Sequence, residues 1–296
     1  MTTWPNPPCP GRRQRGLSLV ELMVSLVVGL VIVAAVLGAF VASGTSSRHT
    51  QAMTQMTEDA SVALAVIRSH LAMTGYSRPV GVTAEKTFQK AQTEPALFGC
   101  EGGFADLSAD IGALACDAGA SDSDALALAY EADAANSIVN AEGEPLDCLG
   151  NSLQGSKRGE APADYHLSYS RFYLDQPEGA PARGLYCRGP GSDEAQALVD
   201  NVERLAITYG VAAGVNGTEV ARYLSASELT RSEFEQVISV RVCLVVASAG
   251  QVQDRVTPYQ GCDPFAAQTT PEAGDRRLFR AFTSTIVLHN RLKAAT

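Results

Sequence analysis

The stretch Gly16-Leu-Ser-Leu-Val-Glu21 opens a long apolar run that continues to Gly44. The residues before it contain three arginines and no acidic residue. Between Glu21 and Arg48 there are 26 residues, and none of them is charged. Because roughly 20 apolar residues of helix cross the hydrocarbon core of a bilayer, the run predicts a transmembrane helix.

Glu21 lies inside this apolar run, near its N-terminal end. Burying an unpaired carboxylate in lipid costs about 3 kcal/mol or more, so such a residue normally has a partner and a function. A cleaved secretory signal has an apolar region of only about 7–15 residues, which is shorter than this run. An uncleaved anchor explains the hydrophobicity and the basic flank, but it gives Glu21 no role.

The N-terminal pattern resembles the class III signal of type IV prepilins and type II secretion pseudopilins. Its elements are an arginine-rich leader, a glycine, and an apolar helix with glutamate five residues after the glycine. The resemblance implies that prepilin peptidase cleaves between Gly16 and Leu17, and that the new amino group of Leu17 is methylated. It also implies that Glu21 pairs with an adjacent subunit's N-terminal amine and sets the axial register of a filament. Leu17 stands where the family most often has Phe.

The helical pattern continues beyond the membrane run. No proline interrupts residues 17–78, and Gly75 with Pro79 predicts the end of the helix. Apolar residues at steps of three and four form one face. They are Met53, Met56, Ala60, Leu64, Ile67 and Leu71.

These patterns divide the chain into four expected segments. They are a cleaved leader over 1–16, a transmembrane or filament-core segment over 17–44, an amphipathic half of the helix over 45–78 and a disulfide-bonded β-rich head over 79–296.

Alternating and β-branched segments predict strands in the head. They cover residues 125–130, 165–174, 184–188, the latter part of 197–210, 237–246 and 278–288. Residues 228–235 are expected to form a short turn or helical connector. The predicted fold class is α+β, a pilin-like fold in which one long N-terminal helix, half transmembrane and half amphipathic, packs on an antiparallel sheet.

Six of the seven cysteines remain once the expected leader, which contains Cys9, is removed. An even number after a membrane-targeting segment is typical of disulfides in an oxidising compartment. Sequential pairing is favoured among the 15 possible connectivities because each bridge then closes a local loop. These pairs are Cys100–Cys116, Cys148–Cys187 and Cys243–Cys262. Free buried thiols are the alternative.

Charge and motif content argue against several function classes. The net charge is −9, and removing the leader with its three arginines takes it to −12, which disfavours nucleic acid as a partner. No hydrolase, zinc-peptidase or phosphate-loop fingerprint occurs, so we predict no catalytic, cofactor-binding or metal-binding residue. Asp117, Asp122 and Asp124 are expected to form a solvated acidic loop rather than a calcium site. His49 and His70 are expected to be solvated or interfacial.

Segments of the helix and of the head are similar to those of PilW-type minor pilins and, second, to those of the pseudopilin GspJ. They lie at 67–68 with 75–76, 199–205 with 209–210, 237–242 and 282–291. The resemblance implies a protein that waits in the inner membrane lipid with its head in the periplasm. With other minor pilins and the major pilin it would prime pilus assembly and sit at or near the tip, where a large adhesin is a further partner. A type II secretion pseudopilin and an uncleaved membrane-anchored binding module or adhesin are the alternatives.

Overall fold

The structure is a computed structural model that describes residues 16, 18–82, 88–92, 95–117, 119, 122–159, 164–214 and 217–291. These residues fall into two compact units, one ending at Thr50 and the other beginning at Gln51. Most of the expected leader and Leu17 lie outside the described residues.

A single α-helix, α1, spans Leu19–Met73, so the predicted long N-terminal helix is confirmed. Its first turn closes where the amide of Leu22 donates to the carbonyl of Ser18 at 3.1 Å. The turn that follows the helix contains Gly75, whose φ of +76° suits glycine. The Gly75 amide then donates to the carbonyl of Ala129 at 3.0 Å, which ties the end of the helix to a strand.

The second unit buries one face of α1. Met56, Ala60, Ala63, Ile67 and Leu71 are each at most 1% exposed, at the steps of three and four that the sequence predicts. Two other members of the predicted face, Met53 and Leu64, are only partly buried. Since each fully buried Ile, Leu or Met side chain contributes about 1.5–3 kcal/mol, this face is a main source of the head's stability.

The described residues contain 14 strands. Their bounds are β1 Pro79–Val82, β2 Phe88–Lys90, β3 Leu97–Cys100, β4 Gly103–Phe104, β5 Cys116–Asp117, β6 Ala125–Ala132, β7 Lys157–Arg158, β8 Tyr165–Asp175, β9 Gly184–Arg188, β10 Gln196–Asp200, β11 Val202–Ala212, β12 Val220–Leu224, β13 Val237–Ala247 and β14 Phe279–Val287. The expected connector before β13 forms two short 3₁₀ turns, Ala226–Glu228 and Glu233–Gln236.

Two antiparallel sheets make up most of the head, which establishes the α+β class. The first sheet has the order β10-β9-β8-β6-β3, with β7 paired to β8, and the second has the order β12-β11-β13-β14. The short pairs β1–β2 and β4–β5 stand apart. The sequence predicts one antiparallel sheet, whereas the described part of the head has two large ones.

The division between the sheets occurs at Asn201. The sequence block 197–210 reads as one element, but its first part forms β10 in the first sheet and its second part forms β11 in the second. Asn201 lies between them with φ of 59°, a left-handed conformation that asparagine tolerates better than most residues. The chain therefore changes sheets across one residue.

Residues before β6 hold the two sheets together. The amide of Asp124 donates to the carbonyl of Leu205 at 2.9 Å, and its carboxylate accepts from the amide of Ile207 at 2.6 Å. The hydroxyl of Ser123 also accepts from the amide of Leu205, at 2.7 Å. Burial raises the pKa of Asp124 to about 6. Asp124 is therefore a structural link rather than part of a solvated loop.

His70, which the sequence predicts to be solvated or interfacial, is buried between α1 and the first sheet. Its side chain lies against Tyr130, whose hydroxyl is 3.3 Å from His70 Nδ1, and against the Phe172 ring at a centroid distance of 5.7 Å. Burial lowers the pKa of His70 to about 4, so the ring is neutral at pH 7. His49 on the same helix is exposed, as expected.

Ile67→Ala is expected to destabilise the head by about 2–5 kcal/mol, because it leaves a cavity between α1 and the sheets. Val62→Ala is the matched control, since Val62 lies on the same helix and is 53% exposed. Urea unfolding of the full chain in detergent, followed by near-ultraviolet circular dichroism, measures both. Equal midpoints for the two variants would contradict the packing of this face.

His70→Gln is expected to change the pH dependence of stability. Because the folded pKa of about 4 is below the ordinary histidine pKa of 6.5, neutral His70 contributes stability that is present above pH 6.5 and lost as pH falls through 4. The difference corresponds to about 3 kcal/mol. Asp124 has the opposite pH dependence: it contributes stability that is present below its ordinary pKa and lost as pH rises through 6. Both proteins contain Asp124, so this contribution cancels in the difference between their unfolding free energies.

The measurement is the unfolding free energy of wild type minus that of His70→Gln between pH 4 and pH 7. This difference should fall towards acid pH. His49→Gln provides the control and should track wild type. A pH-independent difference for His70→Gln would contradict the neutral buried imidazole.

Candidate assembly site

The first turn of α1 contains the predicted assembly residue. Glu21 is exposed there, and Gly16 is exposed before the helix begins. The carbonyl of Glu21 accepts from the hydroxyl of Ser25 at 2.8 Å, so Ser25 supports the helix rather than the carboxylate. A negative charge in the first turn is favourable because the helix N-terminus carries partial positive charge. Leu17, the predicted methylation site, lies outside the described residues.

The large apolar side chains of the first unit are uncovered. From Leu19 to Phe40 they are between 52% and 77% exposed. Helix α1 is long and apolar enough to cross a membrane, and none of its most apolar window is buried within the structure. The surface is apolar around the whole helix, which is typical of a segment surrounded by lipid or by other apolar helices.

Glu21 has no cationic partner on this part of the helix. Among the described residues from 18 to 50, the nearest Lys or Arg in sequence is Arg48. It lies 27 residues further along the sequence, or about 40 Å along an α-helix at 1.5 Å per residue. When the apolar surface is covered, a cation that neutralises Glu21 must therefore come from outside this helical stretch.

Disulfides join the six head cysteines. The bonds are Cys100–Cys116, Cys148–Cys187 and Cys243–Cys262, the pairs that sequence proximity favours. The first attaches the end of β3 to β5, the second attaches a loop to β9, and the third attaches the 248–278 loop to β13. Closing loops of this size restricts the unfolded chain by about 3–4 kcal/mol each in the loop-entropy model.

The acidic residues and histidines of the head do not converge on one point. Asp122 pairs with Arg183 at 2.7 Å, while Asp117 accepts from the amide of Gly119 at 3.2 Å. His166 contacts the carbonyl of Leu153 at 3.1 Å. Within the described ranges, no group of three or more His, Cys, Asp or Glu side chains could hold a metal ion.

Three comparisons bear on this arrangement. Residues 11–43 match the prokaryotic N-terminal methylation motif, and residues 171–290 match the family model of the Type IV Pilus-assembly protein W. A solved structure of a type IV-like pilin from Thermus thermophilus is similar over 81% of this chain and 98% of that one, with a TM-score of 0.41 and 11% identity. No curated protein matches the chain.

The methylation motif falls on the uncovered apolar helix and on Glu21, so this part of the chain is similar to the N-terminal segment of type IV pilin-like proteins. The head is most similar to the PilW-type minor pilins, because the second match runs from within β8 to the end of β14. This class is structural rather than enzymatic. The motif implies processing by prepilin peptidase, other pilins as partners, and membrane anchoring before assembly.

The sequence predicts roles for Gly16, Leu17 and Glu21 because the leader motif is local. It does not predict a pocket lined by Arg231 and Arg291, which are 60 residues apart in sequence. In the sequence, the 282–291 segment is distinguished only by its similarity to PilW-type minor pilins. No spacing rule connects these two arginines, since the fold alone brings them together.

Proposed function

We propose that this minor pilin primes pilus assembly and is incorporated at or near the pilus tip. The observation that carries the proposal is the uncovered apolar helix with a single carboxylate in its first turn. Before assembly, residues 17–44 lie in the inner membrane, where lipid covers the apolar side chains. During assembly, the helices of neighbouring subunits replace that lipid.

Cleavage between Gly16 and Leu17 supplies the cation that Glu21 lacks. The cut creates an amino group at the start of the helix, and methylation of Leu17 leaves that amine able to carry a positive charge. An adjacent subunit's amine then pairs with the Glu21 carboxylate. In a low-dielectric bundle an unpaired charge is costly, so only the register that forms the pair is stable. The apolar surfaces supply most of the affinity.

The orientation follows from charge and redox chemistry. Three arginines precede the apolar run, and cationic flanks stay on the cytoplasmic side. The head is then periplasmic, where its three disulfides are stable. Residues 45–78 complete the helix and the region from 79 onward forms the head. Other minor pilins, the major pilin and a large tip adhesin are the proposed partners.

Glu21→Ala is expected to leave the protein in the membrane but to prevent its incorporation into pili. The substitution keeps the apolar helix and removes only the partner of the amine. The measurement is the amount of protein in sheared pili relative to membranes, by immunoblot.

Glu58→Ala is the matched control, since Glu58 is an exposed glutamate on the same helix beyond the apolar run. It should enter pili as wild type does. Normal incorporation of the Glu21→Ala protein would remove the proposed mechanism, and equal loss from both variants would show that the effect is not specific to Glu21.

A further inference from the structure

A pocket of about 530 Å³ lies in the head between the start of β3, the 3₁₀ turn Glu233–Gln236 and the end of the described chain. Its wall is partly apolar, with contributions from Ala96, Leu97 and Phe234. Two guanidinium groups, those of Arg231 and Arg291, line the same pocket. An apolar wall beside cationic groups is typical of a site for an organic anion.

Arg291 is held in place but is incompletely hydrogen-bonded. Its Nη2 donates to the carbonyl of Phe234 at 2.5 Å, and its stem packs on Gly75, where an added Cβ would lie 3.0 Å from Arg291 Cγ. Its Nη1 is buried and has no hydrogen-bond partner among the described residues. Burial lowers the pKa of Arg291 to about 10. A buried donor without an acceptor is costly, so the guanidinium of Arg291 has unused hydrogen-bonding capacity.

The second guanidinium is fixed by neutral groups. Arg231 stacks on the Phe98 ring at 4.1 Å and donates to the carbonyls of Ile111 and Gly112 at 3.3 and 3.1 Å, and also to that of Leu114. These carbonyls orient the side chain without cancelling its charge. The packing leaves Arg231 as a preorganised cation at the pocket wall.

The positive charge around the pocket exceeds the negative charge. Burial lowers the pKa of Lys90, and the nearby positive charge of Arg291 lowers it further. The Lys90 ammonium donates to the carbonyl of Gly75 at 2.9 Å. None of Lys90, Arg231 and Arg291 forms an ion pair within the part of the chain that the structure describes. The acidic residue lining the pocket is Glu235, which is exposed at its rim.

We propose that this pocket binds the carboxylate of an aspartate or glutamate side chain of a partner protein, seated between Arg231 and Arg291 with its short aliphatic stem on the apolar wall. A monoanion fits better than a phosphate, because Glu235 at the rim repels a dianion more strongly. Chains as acidic as this one, with 32 Asp and Glu against 23 Lys and Arg, present many carboxylates on their surfaces. The site lies in the head, so its test is separate from that of Glu21.

The test uses the full chain in detergent and three probes: butyrate, its uncharged isostere butyramide, and glutamate capped at both ends as N-acetylglutamate amide. Titration calorimetry should show saturable binding of butyrate and of the capped glutamate, and none of butyramide. Failure of butyrate to saturate, equal binding of butyramide, or stronger binding of inorganic phosphate would overturn the carboxylate site. Binding of butyrate without the capped glutamate would overturn the assignment to a protein side chain.

Two variants test the residues. Arg291→Met should weaken butyrate binding about tenfold or more, since it removes a charge-assisted donor. Arg291 also packs on Gly75, so replacing it affects the fold as well as binding. Glu235→Gln is therefore a second variant, which changes an exposed side chain and leaves the fold intact. It should tighten butyrate binding about two- to fivefold by removing an exposed repulsive charge. Glu178→Gln, an exposed acid outside the pocket, should leave binding unchanged. An unchanged affinity in Glu235→Gln would overturn the proposal.

Discussion

One constraint governs the proposed function of this protein. The large apolar side chains of the first unit are exposed, and a carboxylate lies in the first turn of the same helix. Large side chains from Leu19 to Phe40 expose at least half of their surface. Such a surface is stable only in lipid or against other apolar helices. Arg48 is too far along the helix to neutralise Glu21. When lipid or other helices cover the apolar surface, Glu21 therefore needs a cation from outside this helical stretch. In the proposed function, processing at Gly16 and assembly with neighbouring subunits supply that cation.

The same helix serves a different purpose beyond Thr50, where one face becomes part of the head's core. The end of α1 is fixed by the Gly75 turn and by Glu131, a buried carboxylate. Glu131 accepts from the Ser77 hydroxyl and the Arg78 amide, both at 2.9 Å, and pairs with the Arg78 guanidinium at 3.0 Å. These contacts fix the C-terminal part of α1 to the strands of the second unit, and the three disulfides cross-link the same unit.

Local patterns predicted the helix, its buried face around Ile67 and most of the long strands, because periodicity and the absence of proline are properties of neighbouring residues. They did not predict the change of sheet at Asn201, where one residue's conformation divides a continuous β-prone block. They also left open whether His70 is solvated or interfacial, since its burial depends on Tyr130 and Phe172 from distant strands. The short strands β1, β2, β4, β5, β7 and β12 and the Arg231–Arg291 pocket likewise arise from contacts between remote segments, which periodicity does not encode.

The most direct test of the central claim is a zero-length carbodiimide cross-link in assembled pili, identified by mass spectrometry. The reagent joins a carboxylate to an amine only where the two are in contact. The account predicts an amide bond between the side chain of Glu21 and the methylated N-terminal amine of a neighbouring subunit, with this chain's own N-terminus found at Leu17. A chain that still begins at Met1, or pili in which Glu21 forms no such cross-link, would contradict it.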